Sequence, residues 1–287
     1  MSTTTETAGL SFELPEDVQS VREMVRDFAE SEIRPIAARI DETHEFPAEN
    51  TKKMAELGLL GMFVPEQWGG AGMSYLAYVV AIEELSRVCA SHGVIASVNN
   101  SLVCYPLMQY ANDEQKRRWL APLAKGELLG AYCLTEPNAG SNAANQQTTA
   151  VLDGDHWVLN GSKIFITNAG PADVLITYAA TDKALGPKGI SAFIVPADIP
   201  GVKKGKKEHA LPAGAATGHV VTRLRRGNPN EEVHSCVVPS VRSRCSSSRP
   251  APCIRVSRRC SRGSTPGSRA RSSRCSASTA CSWTRWS

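Results

Sequence analysis

The chain has 287 residues, of which 42% are hydrophobic, and a formal net charge of +4 at pH 7. That length allows one large domain or two, and the hydrophobic share is ordinary for a globular protein with a sizeable core. No run approaches the ~20 apolar residues of a membrane span, and the polar first nine residues lack the order of a secretion signal, so we expect a cytoplasmic protein without a membrane span.

The charge is unevenly distributed along the chain. Residues 210–287 hold 14 arginines, no lysine and two acids, a net charge of +12, whereas residues 1–209 carry a net charge of −8. Six of the nine cysteines also follow residue 209. The three earlier ones, Cys89, Cys104 and Cys133, match no zinc or disulfide spacing, and we interpret them as buried inert thiols.

Helical signals dominate the start of the chain. Pro15 followed by two acids suits a helix start, and apolar residues then recur every three or four positions up to residue 28. Residues 47–57 predict a second helix, which Gly58 ends. Residues 74–88 predict a third helix that is apolar around most of its circumference and therefore buried.

Two further helices are predicted before residue 126. The fourth covers about residues 93–110. Asn112 with Gln115 three positions later is typical of the N-terminal cap of a fifth. The first 125 residues are therefore predicted to form an all-helical domain.

After Gly126 the pattern changes to short β-type runs. Asp153-Gly154 and Asn160-Gly161 are dipeptides typical of hairpin turns between strands. A small antiparallel β domain is therefore predicted to follow the helices, and the fold class is α+β. The predicted strands cover residues 131–134, 147–152, 157–159, 163–167, 174–179 and 190–195.

Periodicity disappears beyond about residue 209. Leu, Ile, Val and Phe number only 10 in the last 78 residues, too few to bury a core, so we expect residues 210–287 to be a disordered tail. Its Arg, Ser, Pro, Ala, Gly and Cys bias is what a shifted reading frame of a GC-rich gene would produce, and we interpret it so. The tail lacks Phe, Tyr and any recognisable module, so no specific nucleic-acid partner is predicted.

Two segments of the β region carry groups that suit a flavin. Residues 131–141 combine an apolar strand, the Thr135 hydroxyl and a turn with proline, glycine and serine, and residues 163–168 present Phe165 and Thr167. Together they could hold an isoalloxazine ring and its diphosphate. Such a turn by itself is structural in most proteins, but the two segments in combination favour a binding site.

Residues 1–209 resemble the acyl-CoA dehydrogenases, and more closely their short- and medium-chain branch. The resemblance implies an N-terminal helical domain over residues 1–127 and a truncated middle β domain over residues 128–209, without the C-terminal four-helix bundle of that family. The segments that carry it are the opening helix and residues 58–72, 132–141, 160–168 and 200–202.

The resemblance also implies a function. Members of this family use FAD to oxidise an acyl-CoA between its α and β carbons to trans-2-enoyl-CoA, as in fatty acid β-oxidation, and pass the electrons to an electron-transferring flavoprotein. FAD lies where the β domain meets the bundle. Family members are homo-oligomers, but the contacts between their subunits come largely from the bundle. The resemblance therefore does not extend oligomer formation to this chain.

Roles for individual residues follow from the resemblance. Thr135 is similar to the hydroxyl donor at the flavin pyrimidine edge, Thr167 to the donor near N5, and Phe165 to the ring that lies against the flavin. Gly140 and Ser141 match the turn near the cofactor diphosphate, where Ser141 also meets the acyl-CoA. The implied cofactor-binding residues are Tyr132, Leu134, Thr135, Gly140, Ser141, Phe165, Ile166 and Thr167.

Two departures from the family pattern affect these expectations. Asn142 stands where aspartate is usual, which removes a charge near the turn. The catalytic base of the family is a glutamate in the bundle, and the only acids after residue 209 are Glu231 and Glu232, which come too early in the chain. No catalytic residue is therefore assigned. We expect a dehydrogenase by descent that is inactive, with the edge of its β sheet left unpaired.

Two other functions stay open. The chain could be a non-enzymatic fragment that binds FAD, acyl-CoA or a partner protein. It could also belong to relatives that perform flavin monooxygenation or nitroalkane oxidation on the same scaffold, because the residues that distinguish those reactions lie in the bundle.

Some polar residues are interpreted as structural. His92 and His156 are expected at the surface or hydrogen-bonded within the fold. Of the adjacent Glu83 and Glu84 on the third helix, one is expected to face solvent and the other a neighbouring helix.

Overall fold

Helices occupy most of residues 16–125, and strands follow them. The computed structural model describes residues 13–154, 156–207 and 217–223, with the backbone alone for residues 206–207 and 217–223. The helices are α1 Glu16–Phe28, α2 Arg34–Thr43, α3 Ala48–Glu56, α4 Tyr75–Val88, α5 Ala90–Ser97, α6 Tyr105–Tyr110, α7 Asp113–Gln115 and α8 Ala121–Lys125, with π-helical segments at Ala29–Ile33, Val98–Cys104 and Lys116–Leu120.

Two of the predicted helix starts, those at Ser74 and Asn112, are confirmed by capping contacts. The Ser74 hydroxyl accepts from the backbone N–H of Ala77 at 3.2 Å at the start of α4. At α7, Asn112 Oδ1 accepts from the backbone N–H of Gln115 at 2.8 Å, and Gln115 Oε1 accepts from the backbone N–H of Asn112 at 3.1 Å. Both caps satisfy N–H groups that a helix leaves without a partner.

Helix α4 is buried along one face only, which corrects the prediction that it is buried all round. Val80 and Leu85 lie in the core, but Tyr75, Leu76 and Val79 are 56%, 45% and 57% exposed. Its apolar residues therefore divide between the core and an exposed surface, a distinction that composition alone does not make.

The interface of α1 with α4 contains a buried carboxylate. Glu84 is 2% exposed and accepts from Arg26 Nη2 at 2.7 Å and from Arg87 Nε at 3.2 Å. These hydrogen bonds, from Arg26 above all, lower the pKa of Glu84 although burial acts in the opposite direction. Glu83 is exposed. The prediction that the two glutamates face opposite ways is therefore confirmed.

Within the described residues, seven strands form one sheet, which confirms the α+β class. Their order is β1-β4-β2-β3-β7-β6, and β5 also pairs with β4. Strands β1 and β4 run parallel, so the prediction of an antiparallel domain is wrong for that pair. The strands are β1 Gly130–Cys133, β2 Thr149–Asp153, β3 His156–Thr167, β4 Val174–Ala180, β5 Ile190–Pro196, β6 Val202–Lys207 and β7 Thr217–Arg223.

One of the two predicted hairpin turns is confirmed and the other is wrong. Gly154 has a φ of +69° and connects the paired Asp153 and His156, as a tight turn requires. Gly161 lies inside β3, where an added Cβ would come within 2.1 Å of Thr148 Oγ1. This glycine therefore permits a close approach of two chain segments within the sheet.

Strand β7 lies in the stretch for which no secondary structure was predicted. It pairs antiparallel with both β3 and β6, so the prediction of disorder is wrong for Thr217–Arg223. The prediction of an unpaired sheet edge is wrong where β7 pairs with β3. The rest of residues 210–287 lies outside the described residues.

An apolar cluster joins the helices to the sheet. Val103 in the π-helical segment and Leu120 and Leu123 around α8 pack with Val174 and Ile176 of β4. Each of these side chains is at most 2% exposed, so the cluster contributes the burial energy of a shared core. Strand β1 is held against the helices by the same contact.

Two of the three early cysteines, Cys104 and Cys133, agree with their interpretation as buried inert thiols. Cys104 and Cys133 are fully buried and unbridged, and burial raises the pKa of each to about 12. Thiols with such pKa values carry almost no thiolate at neutral pH. Cys89 is also unbridged and partly buried. Among the described helices, none has the length and apolar character needed to cross a membrane.

His92 is buried more deeply than expected. It is 0% exposed, and neither ring nitrogen has a hydrogen-bond partner among the described residues, so the prediction of a surface or hydrogen-bonded histidine is wrong. Burial lowers its pKa to about 4, which keeps the imidazole neutral in the folded protein.

We predict that His92 makes the free energy of unfolding depend on pH. Between the unfolded pKa of about 6.5 and the folded value of about 4, the unfolded chain binds the extra proton, so stability falls as the pH falls. The expected loss from His92 by pH 4 is roughly 3 kcal/mol. Urea unfolding from pH 7 to pH 4 measures it.

The variant His92→Gln removes this titration and should flatten the pH dependence in that window. His156→Gln, which changes a partly exposed histidine at the start of β3, should retain it. If the free energy of unfolding changed equally with pH in the wild type and in His92→Gln, the buried imidazole would not control the pH dependence of stability.

Candidate functional site

Strand β1 carries the first of the two predicted site segments. The Tyr132 ring packs against Tyr178 with centroids 5.1 Å apart, at the junction of the sheet with the helices. Leu134 and Thr135 follow the strand and are partly exposed. The structure therefore places the Thr135 hydroxyl at an accessible strand end and directs the Tyr132 ring into the helix-sheet junction.

Strand β3 carries the second segment, and its backbone is distorted there. The ladder with β7 shifts register between Lys163 and Ile166. Phe165 lies in this irregularity with a φ of +56°, a strained conformation for a bulky residue, and its side chain is 54% exposed. Ile166 is buried and Thr167 is partly exposed. An exposed aromatic ring held on strained backbone favours a binding surface.

The two segments lie side by side, although β1 and β3 are not neighbours in the sheet order. The backbone N–H of Ile164 donates to the Thr135 carbonyl at 2.9 Å. The Lys163 ammonium donates to the Leu134 carbonyl at 3.0 Å. The structure therefore brings the two predicted segments together.

Lys163 is among the largest fully buried side chains of the described residues. Its ammonium also donates to Glu136 Oε1 and to Gln146 Oε1, each at 2.8 Å, so with the Leu134 carbonyl all three N–H donors are used. Burial lowers the pKa of Lys163, and the neighbouring Glu136 carboxylate opposes that shift. A lysine can remain charged in such a place only because every donor has a partner.

Glu136 forms the other half of this buried ion pair and is 4% exposed. Its carboxylate also accepts from the backbone N–H groups of Gln147 at 2.5 Å and Thr148 at 3.0 Å. Burial alone would raise the pKa of Glu136, but the hydrogen bonds from Lys163 and the backbone outweigh it and lower the pKa. The ion pair ties the segment after β1 to β3, and the backbone bonds tie Glu136 to the residues just before β2.

The sequence offered a signal for this pair that was not used. Lys163 stands at the start of an apolar run of β3, and a charged residue in a buried strand needs a partner. The identity of the partner depends on a contact across 27 residues of sequence.

The turn after Glu136 leaves backbone donors accessible. Glu136 and Ala139 exchange two backbone hydrogen bonds of 3.1 Å, which close a tight turn. Gly140 and Ser141 follow and are exposed, and their N–H groups donate to no backbone carbonyl among the described residues. A Cβ at Gly140 would have no atom within 4 Å. Open N–H groups of this kind suit an anionic diphosphate.

The hydroxyls of Thr135, Ser141 and Thr167 make no hydrogen bond to any described residue. They are partly or fully exposed, so a ligand can reach them. The exposed side chain of Asn142, where the family usually has aspartate, also makes none within the described part of the chain. Free hydroxyls, an exposed aromatic ring and open N–H groups together fit the ring and diphosphate of a flavin.

No candidate metal centre accompanies these groups among the described residues. Groups of histidine, cysteine and carboxylate side chains that could hold a metal ion are absent from that part of the chain. Glu231 and Glu232 lie outside it. A separate cleft of about 440 Å³, lined by residues that include Arg118, Asp173 and Lys204, contains none of the predicted site residues.

Comparison with protein families agrees with the two-domain architecture. The family model for the N-terminal domain of acyl-CoA dehydrogenases matches residues 15–127, and the model for their middle domain matches residues 131–244. The second match includes β7 and continues past residue 209, where the sequence was expected to lose its likeness to the family.

Individual relatives give the same result. The short-chain specific acyl-CoA dehydrogenase of Clostridium acetobutylicum is 52% identical over 202 residues, which are 70% of this chain and 53% of that protein. A chain in the structure of the electron transferring flavoprotein of Acidaminococcus fermentans matches with a TM-score of 0.72 and 42% identity, over 75% of this chain and 57% of the other.

A glutaryl-CoA dehydrogenase from Mycobacterium smegmatis, solved in complex with FADH2, matches with a TM-score of 0.68 and 35% identity, over 73% of this chain and 53% of the other. The chain thus spans about half the length of the curated relatives it matches. From the helical and β architecture, the paired site segments and both domain matches, we conclude that the chain belongs to the acyl-CoA dehydrogenase family, of which it carries the N-terminal and middle domains.

Proposed function

We propose that the ends of β1 and β3 bind the isoalloxazine ring and diphosphate of FAD. The observation that carries this proposal is the arrangement of Thr135, Phe165 and Thr167 on two segments that a buried ion pair holds together. Bound FAD supplies the acceptor for a hydride from the substrate. The residues of this chain bind and orient the ring.

Each group has a role that its chemistry supports. The Thr135 hydroxyl donates to the pyrimidine edge, where negative charge develops on reduction, and the Thr167 hydroxyl donates near N5. The exposed Phe165 ring packs against the flavin. The open N–H groups of Gly140 and Ser141 bind the diphosphate, and the Ser141 hydroxyl also contacts the acyl-CoA.

For a complete protein with these domains, we propose dehydrogenation of a short-chain acyl-CoA to trans-2-enoyl-CoA. Support comes from 52% identity to a relative named as short-chain specific. The match to a chain in the structure of the electron transferring flavoprotein of Acidaminococcus fermentans supports such a flavoprotein as the electron acceptor. The relatives include bacterial and mitochondrial proteins, so cytoplasmic placement stays a prediction.

This chain alone is proposed to be inactive or nearly so. Proton abstraction needs a carboxylate free to accept a proton, and Glu136 in the site is fully engaged with Lys163 and backbone N–H groups. The family base comes from a bundle that neither matched domain includes. We further propose that a shifted reading frame produced the arginine-rich residues beyond 244, and reading the gene in its other frames for a helical bundle tests that origin.

A binding module without catalysis is the second candidate for this chain. The intact pairing of the two site segments favours it, because flavin binding needs those segments and turnover needs the bundle as well.

We predict that the full chain binds FAD saturably with one-to-one stoichiometry, measured by quenching of flavin fluorescence. Thr135→Val should weaken binding about tenfold, since it removes a hydrogen bond worth roughly 1.4 kcal/mol. Thr43→Val, at the exposed end of α2, should leave the affinity unchanged. With butyryl-CoA and an artificial electron acceptor, we expect almost no enoyl-CoA.

Two results would contradict these expectations. Absence of saturable FAD binding would remove the proposed site. Robust formation of enoyl-CoA would show that the chain supplies its own base, and the proposed inactivity would then be wrong.

We predict that Lys163→Met destabilises the fold by about 3 to 5 kcal/mol, because it leaves the Glu136 carboxylate buried without a counter-charge. Urea unfolding at neutral pH measures the change. The double variant Lys163→Met with Glu136→Gln should recover part of the loss, since no buried charge then lacks a partner.

Lys53→Met is the matched control. Lys53 forms an ion pair with Glu32 at 2.6 Å, but both side chains are well exposed, so its removal should cost less than about 1 kcal/mol. If Lys163→Met cost no more than Lys53→Met, the buried pair would not be what holds the two segments together.

A further inference from the structure

Gly130, the first residue of β1, is bound by side-chain amides on both of its backbone polar groups. Its N–H donates to Asn99 Oδ1 at 3.0 Å, and its carbonyl accepts from Asn168 Nδ2 at 3.1 Å. Asn99 and Asn168 are both 0% exposed. The start of β1 is therefore held from two sides by groups that water does not reach.

Asn168 lies directly after Thr167, at the end of β3. It has a φ of +65°, in the left-handed region that asparagine tolerates better than most residues. Its Oδ1 accepts no hydrogen bond from any described residue, so the bond from Nδ2 to Gly130 alone orients the amide within the described fold. The residue that follows β3 thus also contacts β1.

Asn99 connects Gly130 to the helical domain. Its Nδ2 donates to the carbonyls of Leu60 at 2.8 Å and Leu123 at 3.1 Å, which belong to two separate segments of that domain. Because its amide makes hydrogen bonds to three backbone groups in a buried place, its position is tightly restricted. It provides a fixed support for the start of β1.

Steric contact restricts Gly130 further. A Cβ at this position would lie 2.4 Å from Val103 Cγ1, so the backbone of β1 packs directly on the π-helical segment Val98–Cys104. Strand β1 therefore cannot shift toward the helices, and the two asparagines restrict movement in the other directions.

We propose that Asn168 is a positioning residue for the flavin site. Strands β1 and β3 are tied at both ends of β1, by the Ile164 N–H to the Thr135 carbonyl and by Asn168 Nδ2 to the Gly130 carbonyl. A single hydrogen bond would let β1 rotate about it, whereas two fix the orientation of β1 relative to β3. Asn168 thereby fixes where the Thr135 hydroxyl lies relative to Thr167, with Asn99 as the support. This inference rests on the proposed binding of FAD.

Two variants of Asn168 test the proposal in the full chain. Asn168→Gly keeps the left-handed backbone and removes the amide donor. Asn168→Asp keeps the shape and places an acceptor opposite the Gly130 carbonyl. Both variants should weaken FAD binding at least tenfold. If Asn168→Gly fails to fold, Asn168→Asp still tests the proposal.

The midpoint potential of the bound flavin supplies a readout that stability does not move. A displaced Thr135 hydroxyl stabilises reduced flavin less well, so the potential should fall in both variants. A tenfold selective loss of affinity for reduced flavin corresponds to a fall of about 30 mV for a two-electron couple.

Asn100→Ala is the matched control. Asn100 is also 0% exposed and makes three hydrogen bonds, to Leu59, Ala96 and Met62, but all of them lie within the helical domain. Its loss should lower the temperature of unfolding at least as much as the Asn168 variants do. The FAD affinity and flavin potential of the folded protein should remain as in the wild type.

Results opposite to those expected would overturn either the positioning role of Asn168 or the proposed function. Unchanged affinity and potential in the Asn168 variants, or equal losses in Asn100→Ala, would overturn the positioning role. If the wild type bound no FAD, the proposed function would fail. Hydrogen exchange would then test whether Asn168 positions β1. Backbone N–H groups of residues 130–135 should then exchange faster in Asn168→Gly than in Asn100→Ala, and equal rates would overturn it.

Discussion

The candidate site depends on a lysine ammonium and a carboxylate that are both removed from water. Lys163 on β3 and Glu136 after β1 are 0% and 4% exposed, and each uses its remaining hydrogen-bonding capacity on other groups of the same region. A buried charge without a partner is costly, so neither residue can be displaced alone. The constraint keeps two segments together although their strands are not neighbours in the sheet.

The remaining features of the site build on this tie. The register shift in β3 exposes the Phe165 ring, and the turn closed between Glu136 and Ala139 leaves the following N–H groups accessible. Gly130 links the arrangement to the helical domain through Asn99. The site is therefore built from the sheet, and its position is set by the packing of helices against that sheet.

We propose flavin binding without catalysis for this chain because the two activities need different chemical groups. The middle domain presents hydroxyls and backbone N–H groups, which can hold a flavin by hydrogen bonds without any change of protonation. Acid-base chemistry needs a carboxylate with a suitable pKa, and the described carboxylate at this place, Glu136, is held in an ion pair that lowers its pKa. Binding and proton transfer thus depend on different parts of the protein.

The sequence by itself determined the class of the fold, most helix starts and the chemical groups of the site. Those features depend on neighbours within a few residues, as at the Asn112 cap, or on residue type, as for the hydroxyls of Thr135 and Thr167. Only the tertiary structure decided that Lys163 pairs with Glu136, that Asn160 and Gly161 continue a strand, that β7 closes the edge of β3 and that His92 is buried. The reason is that burial and pairing depend on segments far apart in the chain, which meet only when the helices and the sheet have packed together.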